Sequence, residues 1–295
     1  MTRFDGCGTA LVTPFTDDGA LDLRALRALV EWQIAEGIDF LVPCGSTGEA
    51  QTMDDREREQ VVGTVVQAAA GRVPIMAGAT SNDTARAADE TKRMCALGVD
   101  GILTATPYYN KPTQDGLRRH FLAVAEVSTR PVCLYNVPGR TGVNLLPATA
   151  LELATHPNII AIKEASGDLR QIMEIIRHRP DGFAVLSGDD WLAFPVAAAG
   201  GDGLISVTSN EAPAAMTELV HLARRGDVEG ARRSQYRLLP LMDANFLETN
   251  PIPVKAGLAL LGKIRDALRL PLLPAGSATR DALRAALTAA GLHVR

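Results

Sequence analysis

The feature that most constrains the fold is a regular alternation of short apolar runs with longer segments of helical periodicity. Eight such runs lie 20 to 34 residues apart, which leaves room for one helix and two loops in each interval. Strands that alternate with helices form parallel sheets with right-handed crossovers. The predicted strands are residues 8–12, 40–42, 73–76, 101–103, 132–135, 159–162, 183–186 and 204–207.

The residues that flank the predicted helices fit the ends of helices. Asp22, Asp83 and Asp168 precede apolar-periodic segments, where a side-chain oxygen can accept from the first free backbone N–H groups. Gly37 and Gly98 follow such segments and lead directly into strands, as expected of glycines at helix C-termini.

Eight strand–helix units favour closure into a barrel over an open doubly wound sheet, which has about six strands. No GxGxxG motif follows the first strand, which weakens a dinucleotide-binding interpretation. Beyond residue 207 the pattern is helical only, including residues 227–241 and 279–290. We therefore predict an α/β protein: a (β/α)8 TIM barrel over residues 1–225, with a C-terminal helical extension over residues 226–295 packed on it.

Composition excludes several function classes. The chain has 295 residues, is 46% hydrophobic and 22% charged, and carries a formal net charge of −4. That charge argues against a nucleic-acid partner, and no apolar run approaches the ~18 residues of a membrane span. The start contains Asp5 and no apolar signal-peptide core. We expect a cytoplasmic protein whose cysteines are free thiols, since they lack CxxC spacing: Cys7, Cys44, Cys95 and Cys133.

Lys163 is the most informative single residue. The chain has five lysines against 25 arginines, and Lys163 directly follows the strand at residues 159–162. That position points the side chain into the barrel mouth, where active sites of such barrels lie. Removal from water disfavours the ammonium, so the amine can attack a carbonyl and form a Schiff base. The alternative is a structural lysine paired with a neighbouring acid such as Glu164 or Asp189.

Hydroxyl groups accompany this lysine at other strand ends. Tyr135 ends the preceding strand and is expected beside Lys163, although tyrosine is also common at the edges of cores. Ser46, Thr47 and Tyr109 follow other strands. Together these side chains form a candidate route for protons between the pocket and solvent.

Two further features are candidates for binding carboxylates. The turn at residues 45–48 frees backbone N–H groups, which in such turns bind anions. Arg140 lies between two glycines and has the planar geometry to hold a carboxylate through two hydrogen bonds. The alternatives are an ordinary tight turn and a solvated surface arginine.

The sequence offers few residues that could bind a metal ion or form a histidine-based catalytic triad. None of the five histidines falls in the strand-end motifs. Asp189 and Asp190 are the one paired-carboxylate candidate for a divalent cation, but no third acid lies near them in the sequence. Helix N-capping is the favoured interpretation of this pair.

Five separate loops together resemble the dihydrodipicolinate synthase / N-acetylneuraminate lyase family of class I aldolase-like enzymes, over essentially the full chain. Within that family, the stretch 135–142 with its arginine resembles the synthase branch. The five stretches that carry the resemblance to the family as a whole are residues 8–15, 45–49, 107–112, 163–165 and 250–255.

The resemblance implies a catalytic role for four residues. Lys163 would form an imine with pyruvate, and Tyr135 would donate and accept protons. Ser46 and Tyr109 would complete a proton relay, with Tyr109 reaching the site from a neighbouring subunit of a homotetramer built as a dimer of dimers.

The resemblance implies no metal or organic cofactor, and it also implies the substrate contacts. Thr47 would bind the pyruvate carboxylate, with Ile205 and Gly188 lining the same pocket. Arg140 would bind the carboxylate of L-aspartate 4-semialdehyde. The implied activity is that of a Schiff-base-forming carbon–oxygen lyase that makes 4-hydroxy-tetrahydrodipicolinate, a precursor of diaminopimelate and lysine. Two alternatives are a pyruvate-dependent aldolase acting on a keto sugar acid or hydroxy-oxo acid, and a non-catalytic metabolite-binding barrel.

Two departures from the family pattern bear on rate and regulation. Many synthases have threonine at the position of Ser46, so an altered rate with unchanged chemistry is expected. In lysine-inhibited relatives, a histidine and a glutamate occupy the positions of Arg58 and Arg86, while Asn82 and Tyr108 are retained. Because arginine repels the ammonium groups of lysine, weak or absent lysine inhibition is expected.

Overall fold

Eight parallel strands form one sheet that curls into a nearly closed barrel in the computed structural model, which describes residues 4–294. The strands are adjacent in the order β2-β1-β8-β7-β6-β5-β4-β3. All eight predicted strands are present, which confirms the barrel. Their bounds are β1 Gly6–Ala10, β2 Phe40–Val42, β3 Met76–Gly78, β4 Gly101–Ala105, β5 Val132–Asn136, β6 Ile159–Glu164, β7 Ala184–Ser187 and β8 Gly203–Ser206.

Strand β3 begins at Met76, later than predicted, because of its hydrogen bonding. Pro74 has no N–H to donate, and the N–H of Ile75 donates to the Asp100 carboxylate at 2.9 Å rather than to a strand. The carbonyl of Pro74 still accepts from Leu41 at 3.1 Å, which joins the two ends of the sheet.

Gly78 allows the backbone of β3 to lie close to the segment that follows β2. Its N–H donates to the carbonyl of Pro43 at 2.9 Å. A Cβ at position 78 would lie 2.1 Å from the carbonyl oxygen of Cys44, so a larger residue would hold the two strands apart.

Helices follow the strands on the outside, and the predicted caps are confirmed. The carboxylates of Asp22, Asp83 and Asp168 each accept from a backbone N–H in the first helical turn, and Gly37 and Gly98 have φ of 86° and 85°. The helices are α1 Leu23–Ala35, α2 Asp55–Ala69, α3 Thr84–Ala96, α4 Gln114–Val127, α5 Pro138–Thr141, α6 Pro147–Leu153, α7 Leu169–His178, α8 Ala193–Ala198, α9 Pro213–Arg224, α10 Val228–Ala244, α11 Ile252–Leu260 and α12 Ser277–Ala289.

The C-terminal helices pack on one side of the barrel. Helix α10 contacts α8, α9 and α12, and α11 contacts α12. Helices α10 and α12 were predicted, whereas α11 was not, because it is apolar and buried nearly all round and so lacks a periodic stripe. Helix α9 ends at Arg224, and the division of the chain after residue 225 stays a prediction. No helix within residues 4–294 is long and apolar enough to span a bilayer.

Candidate active site

A cavity of about 140 Å³ opens at the carboxyl ends of the strands. The cavity lies where the active site of a (β/α)8 barrel is expected. The residues that line it come from the barrel strands, from the loops after them and from the C-terminal helical region: Ala10, Val42, Gly45, Ser46, Thr47, Leu103, Tyr135, Val137, Arg140, Lys163, Ala165, Gly188, Asp189, Trp191, Val207, Phe246 and Asn250.

Lys163 lies in β6, with only 5% of its surface exposed, and its side chain lines this cavity. The register of β5 and β6 places Tyr135 directly beside it. The Nζ atom of Lys163 lies 4.3 Å from the centroid of the Tyr135 ring. The predicted adjacency of these two side chains is therefore present in the structure.

The two acids considered as partners for this lysine make other hydrogen bonds. Glu164 accepts from the side chains of Asn136 and Gln171 at 3.0 and 2.9 Å, and burial raises the pKa of its carboxyl. Asp189 accepts from the backbone N–H of Trp191 at 3.0 Å. This arrangement favours a reactive amine at Lys163 over a structural ion pair.

Gly188 makes room for the stem of the lysine. A Cβ at this position would lie 3.0 Å from Cε of Lys163 and 2.7 Å from Cβ of Ala165. Any larger residue would therefore displace the lysine from its present position.

The turn after β2 presents hydroxyl and amide groups to the same cavity. Ser46–Gly48 form a 3-10 turn in which the N–H groups of Gly48 and Glu49 donate to Gly45 and Ser46. A carboxylate bound here would thus meet the amides of Ser46 and Thr47.

Asn250 connects this turn to Arg140. Its side-chain amide donates to Oγ1 of Thr47 at 2.9 Å, and its backbone carbonyl accepts from Nη2 of Arg140 at 3.0 Å. Arg140 lies at the exposed rim, in the short helix α5. No role for Asn250 is predicted from the sequence, although it lies in the family-like stretch 250–255.

Ile205 is fully buried in β8, with its side chain in the barrel interior. Val207, just beyond the end of that strand, lines the cavity. A contact between Ile205 and pyruvate stays a prediction.

Tyr109 lies outside the cavity within this chain. It is 87% exposed and adopts φ of 72°, with its N–H donating to the carbonyl of Thr141 at 3.3 Å. A role for its hydroxyl in the site requires a second chain to bring it there.

The acidic pair after β7 has structural partners. Asp189 caps a 3-10 turn, and Oδ2 of Asp190 accepts from the N–H groups of Val207 and Thr208 at 3.1 and 2.9 Å. These contacts confirm the capping interpretation for Asp189, whereas Asp190 connects the loop after β7 to the loop after β8. Across residues 4–294 no three His, Cys, Asp or Glu side chains are grouped so as to hold a metal ion.

Comparison with known proteins identifies the protein family. The chain belongs to the dihydrodipicolinate synthetase family, whose sequence profile matches residues 3–290. It is 54% identical over 291 residues to the 4-hydroxy-tetrahydrodipicolinate synthase of Koribacter versatilis, covering 98% of this chain and 97% of that one. It is 48% identical over 289 residues to the synthase of Thermodesulfovibrio yellowstonii, covering 98% and 99%.

Solved structures agree with this assignment. The dihydrodipicolinate synthase of Thermotoga maritima superposes with a TM-score of 0.97 at 44% identity, covering 99% of this chain and all of that one. The chloride-inhibited synthase of Acinetobacter baumannii, solved with pyruvate, gives a TM-score of 0.96 at 44% identity, covering 98% and 99%. The family resemblance and the synthase activity expected from the sequence are confirmed.

Proposed function

We propose that Lys163 of this chain forms a Schiff base with pyruvate and that the resulting enamine condenses with L-aspartate 4-semialdehyde. The observation that carries the proposal is the buried amine of Lys163, which lines a small cavity beside Tyr135. A solved relative that binds pyruvate supports the choice of donor. Incubation with both substrates should yield 4-hydroxy-tetrahydrodipicolinate, whereas keto sugar acids should release no pyruvate.

The chemistry follows from the groups around the lysine. The amine adds to the ketone carbon of pyruvate, and the ketone oxygen leaves as water when the imine forms. Tyr135 supplies and removes protons, and loss of a proton from the methyl carbon gives the enamine. That carbon attacks the aldehyde carbon of the second substrate, whose oxygen takes up a proton and becomes a hydroxyl group. The amino group of that substrate, once it has lost its ammonium proton, then attacks the imine carbon, which closes the ring and releases Lys163 as the free amine.

The two substrates are bound by different parts of the cavity. The turn at Ser46 and Thr47 receives the carboxylate of pyruvate, and Arg140 receives the carboxylate of the aldehyde substrate at the rim. We propose that Ser46 and Tyr109 complete a proton relay with Tyr135. The exposure of Tyr109 supports its delivery to a partner site in a homotetramer, and the free thiols fit a cytoplasmic location.

Replacing Arg140 by alanine should raise KM for L-aspartate 4-semialdehyde about tenfold to 100-fold, since a charge-assisted hydrogen bond to the substrate is lost. Steady-state kinetics measure this change. Borohydride trapping of pyruvate on Lys163 should persist, because that step precedes acceptor binding. The control is Arg119→Ala, an exposed arginine on α4. An unchanged KM in the Arg140 variant would contradict the role.

L-Lysine at millimolar concentration should leave the initial rate unchanged. Arg58 and Arg86 both line a second cavity, of about 410 Å³, together with Asn82 and Tyr108. Arg58 is held there by an ion pair with Glu90 at 2.6 Å, so an ammonium group of lysine would have to compete with the guanidinium for that carboxylate. Half-maximal inhibition at sub-millimolar lysine in the same assay would show this expectation to be wrong.

A further inference from the structure

Two aromatic side chains form one wall of the mouth of the active-site cavity and have no part in the steps above. Trp191 follows β7, and Phe246 follows α10. Both line the cavity, with 39% and 41% of their surface exposed. Their ring centroids are 5.4 Å apart, with 43° between the planes. The aromatic pair therefore lies where a second substrate must pass to reach Lys163.

The indole of Trp191 is held in one orientation by contacts outside the cavity. Its Nε1–H donates to the carboxylate of Asp243 at 2.9 Å, and Asp243 does not line the cavity. The backbone N–H donates to Asp189, and the backbone carbonyl accepts from Gln235 at 3.2 Å. The part of the ring that faces the cavity is consequently carbon surface.

The face of an aromatic ring attracts cations. The face of an indole carries the negative end of the ring quadrupole, and tryptophan is the strongest of the aromatic side chains in this respect. A hydrogen bond from Nε1–H to a carboxylate adds to the electron density of the ring. Trp191 is thus suited to a positively charged ligand group at the mouth of the cavity.

The proposed aldehyde substrate brings such a group. Its aldehyde must face the enamine on Lys163, and its carboxylate is expected at Arg140. The α-ammonium group then remains to be placed. Arg140 repels it, whereas Lys163 is a neutral enamine at this stage. The groups in the lining that attract it are the indole face of Trp191 and the carboxylate of Asp189, which accepts from the backbone N–H of Trp191 at 3.0 Å.

We propose that Trp191 is a specificity-determining residue that receives the ammonium group of the acceptor aldehyde on its indole face. This inference rests on the proposed function. It explains how the site would select a short amino aldehyde over hydroxylated acceptors of similar size, which carry no positive charge.

The test compares two aldehydes that differ only in the amino group. In the Trp191→Ala variant, KM for L-aspartate 4-semialdehyde should rise about threefold to tenfold. The inhibition constant of succinate semialdehyde, the same chain without the amino group, should not change. Trp191→Phe should retain most of the selectivity for the amino aldehyde over succinate semialdehyde. Trp191→Leu, which keeps apolar bulk without an aromatic face, should behave like Trp191→Ala. Tyr236→Ala, an exposed aromatic on α10, is the control.

If Trp191→Ala weakened the binding of both aldehydes equally, the inference would be overturned, since the ring would then contribute only apolar contact. A leucine variant with wild-type selectivity would also overturn it. Thermal melting of all four variants checks that they are folded. Failure of the proposed function is distinguishable, because the unmodified enzyme would then neither trap pyruvate on Lys163 nor consume the amino aldehyde.

Discussion

Lys163→Met should lower kcat by about 10⁴-fold or more, because the nucleophile that forms the covalent intermediate is removed. Methionine matches the length of the lysine stem, so the packing against Gly188 should persist. The expected result is a folded protein with an unchanged melting temperature and no detectable condensation in a product-formation assay.

A matched control for this variant is Lys92→Met, which removes an exposed lysine on α3. It should retain the full rate. Retention of more than about one-hundredth of the wild-type kcat in Lys163→Met would contradict covalent catalysis by this residue, given the size of effects seen when other nucleophiles are removed.

Lys255→Met should cost about 3–5 kcal/mol of unfolding free energy, which is the usual effect of breaking a buried ion pair. Nζ of Lys255 lies 2.6 Å from Oε1 of Glu49, and both side chains are buried. The ammonium also donates to the carbonyl of Thr13 at 2.9 Å and lies 4.3 Å from the ring of Phe15. Burial lowers the pKa of the Lys255 ammonium, which the charge of Glu49 opposes. The variant leaves the Glu49 carboxylate buried without its cation.

Denaturant titration measures the loss, and a double variant separates its causes. Lys255→Met with Glu49→Leu removes both charges, so it should lose less than the single variant. A single variant within about 1 kcal/mol of the wild type would show that the pair contributes little, as exposed pairs do. Because Glu49 closes the turn that carries Ser46 and Thr47, the single variant should also weaken the capture of pyruvate.

The fold could be predicted from the sequence because its signals are local. Each strand is a short apolar run, and caps such as Asp22 and Gly37 act within a few residues. Strand β3 was misplaced because the N–H of Ile75 bonds to Asp100, a partner 25 residues away. Helix α11 was missed because complete burial erases the periodic stripe.

The candidate site could be predicted in part for the same reason. Lys163, Tyr135 and Arg140 end or follow strands, and parallel strands bring their carboxyl ends together. Trp191 and Phe246 meet only because the C-terminal helices pack on the barrel, which no local pattern reveals.

The most direct test of the account is reduction of the pyruvate adduct. Incubation with pyruvate and borohydride, followed by peptide mapping, should place one pyruvate, less one water and plus two hydrogens, on the peptide that contains Lys163. The adduct should be absent from Lys163→Met. An adduct on a different lysine, or none at all in an enzyme that still condenses its substrates, would contradict the account.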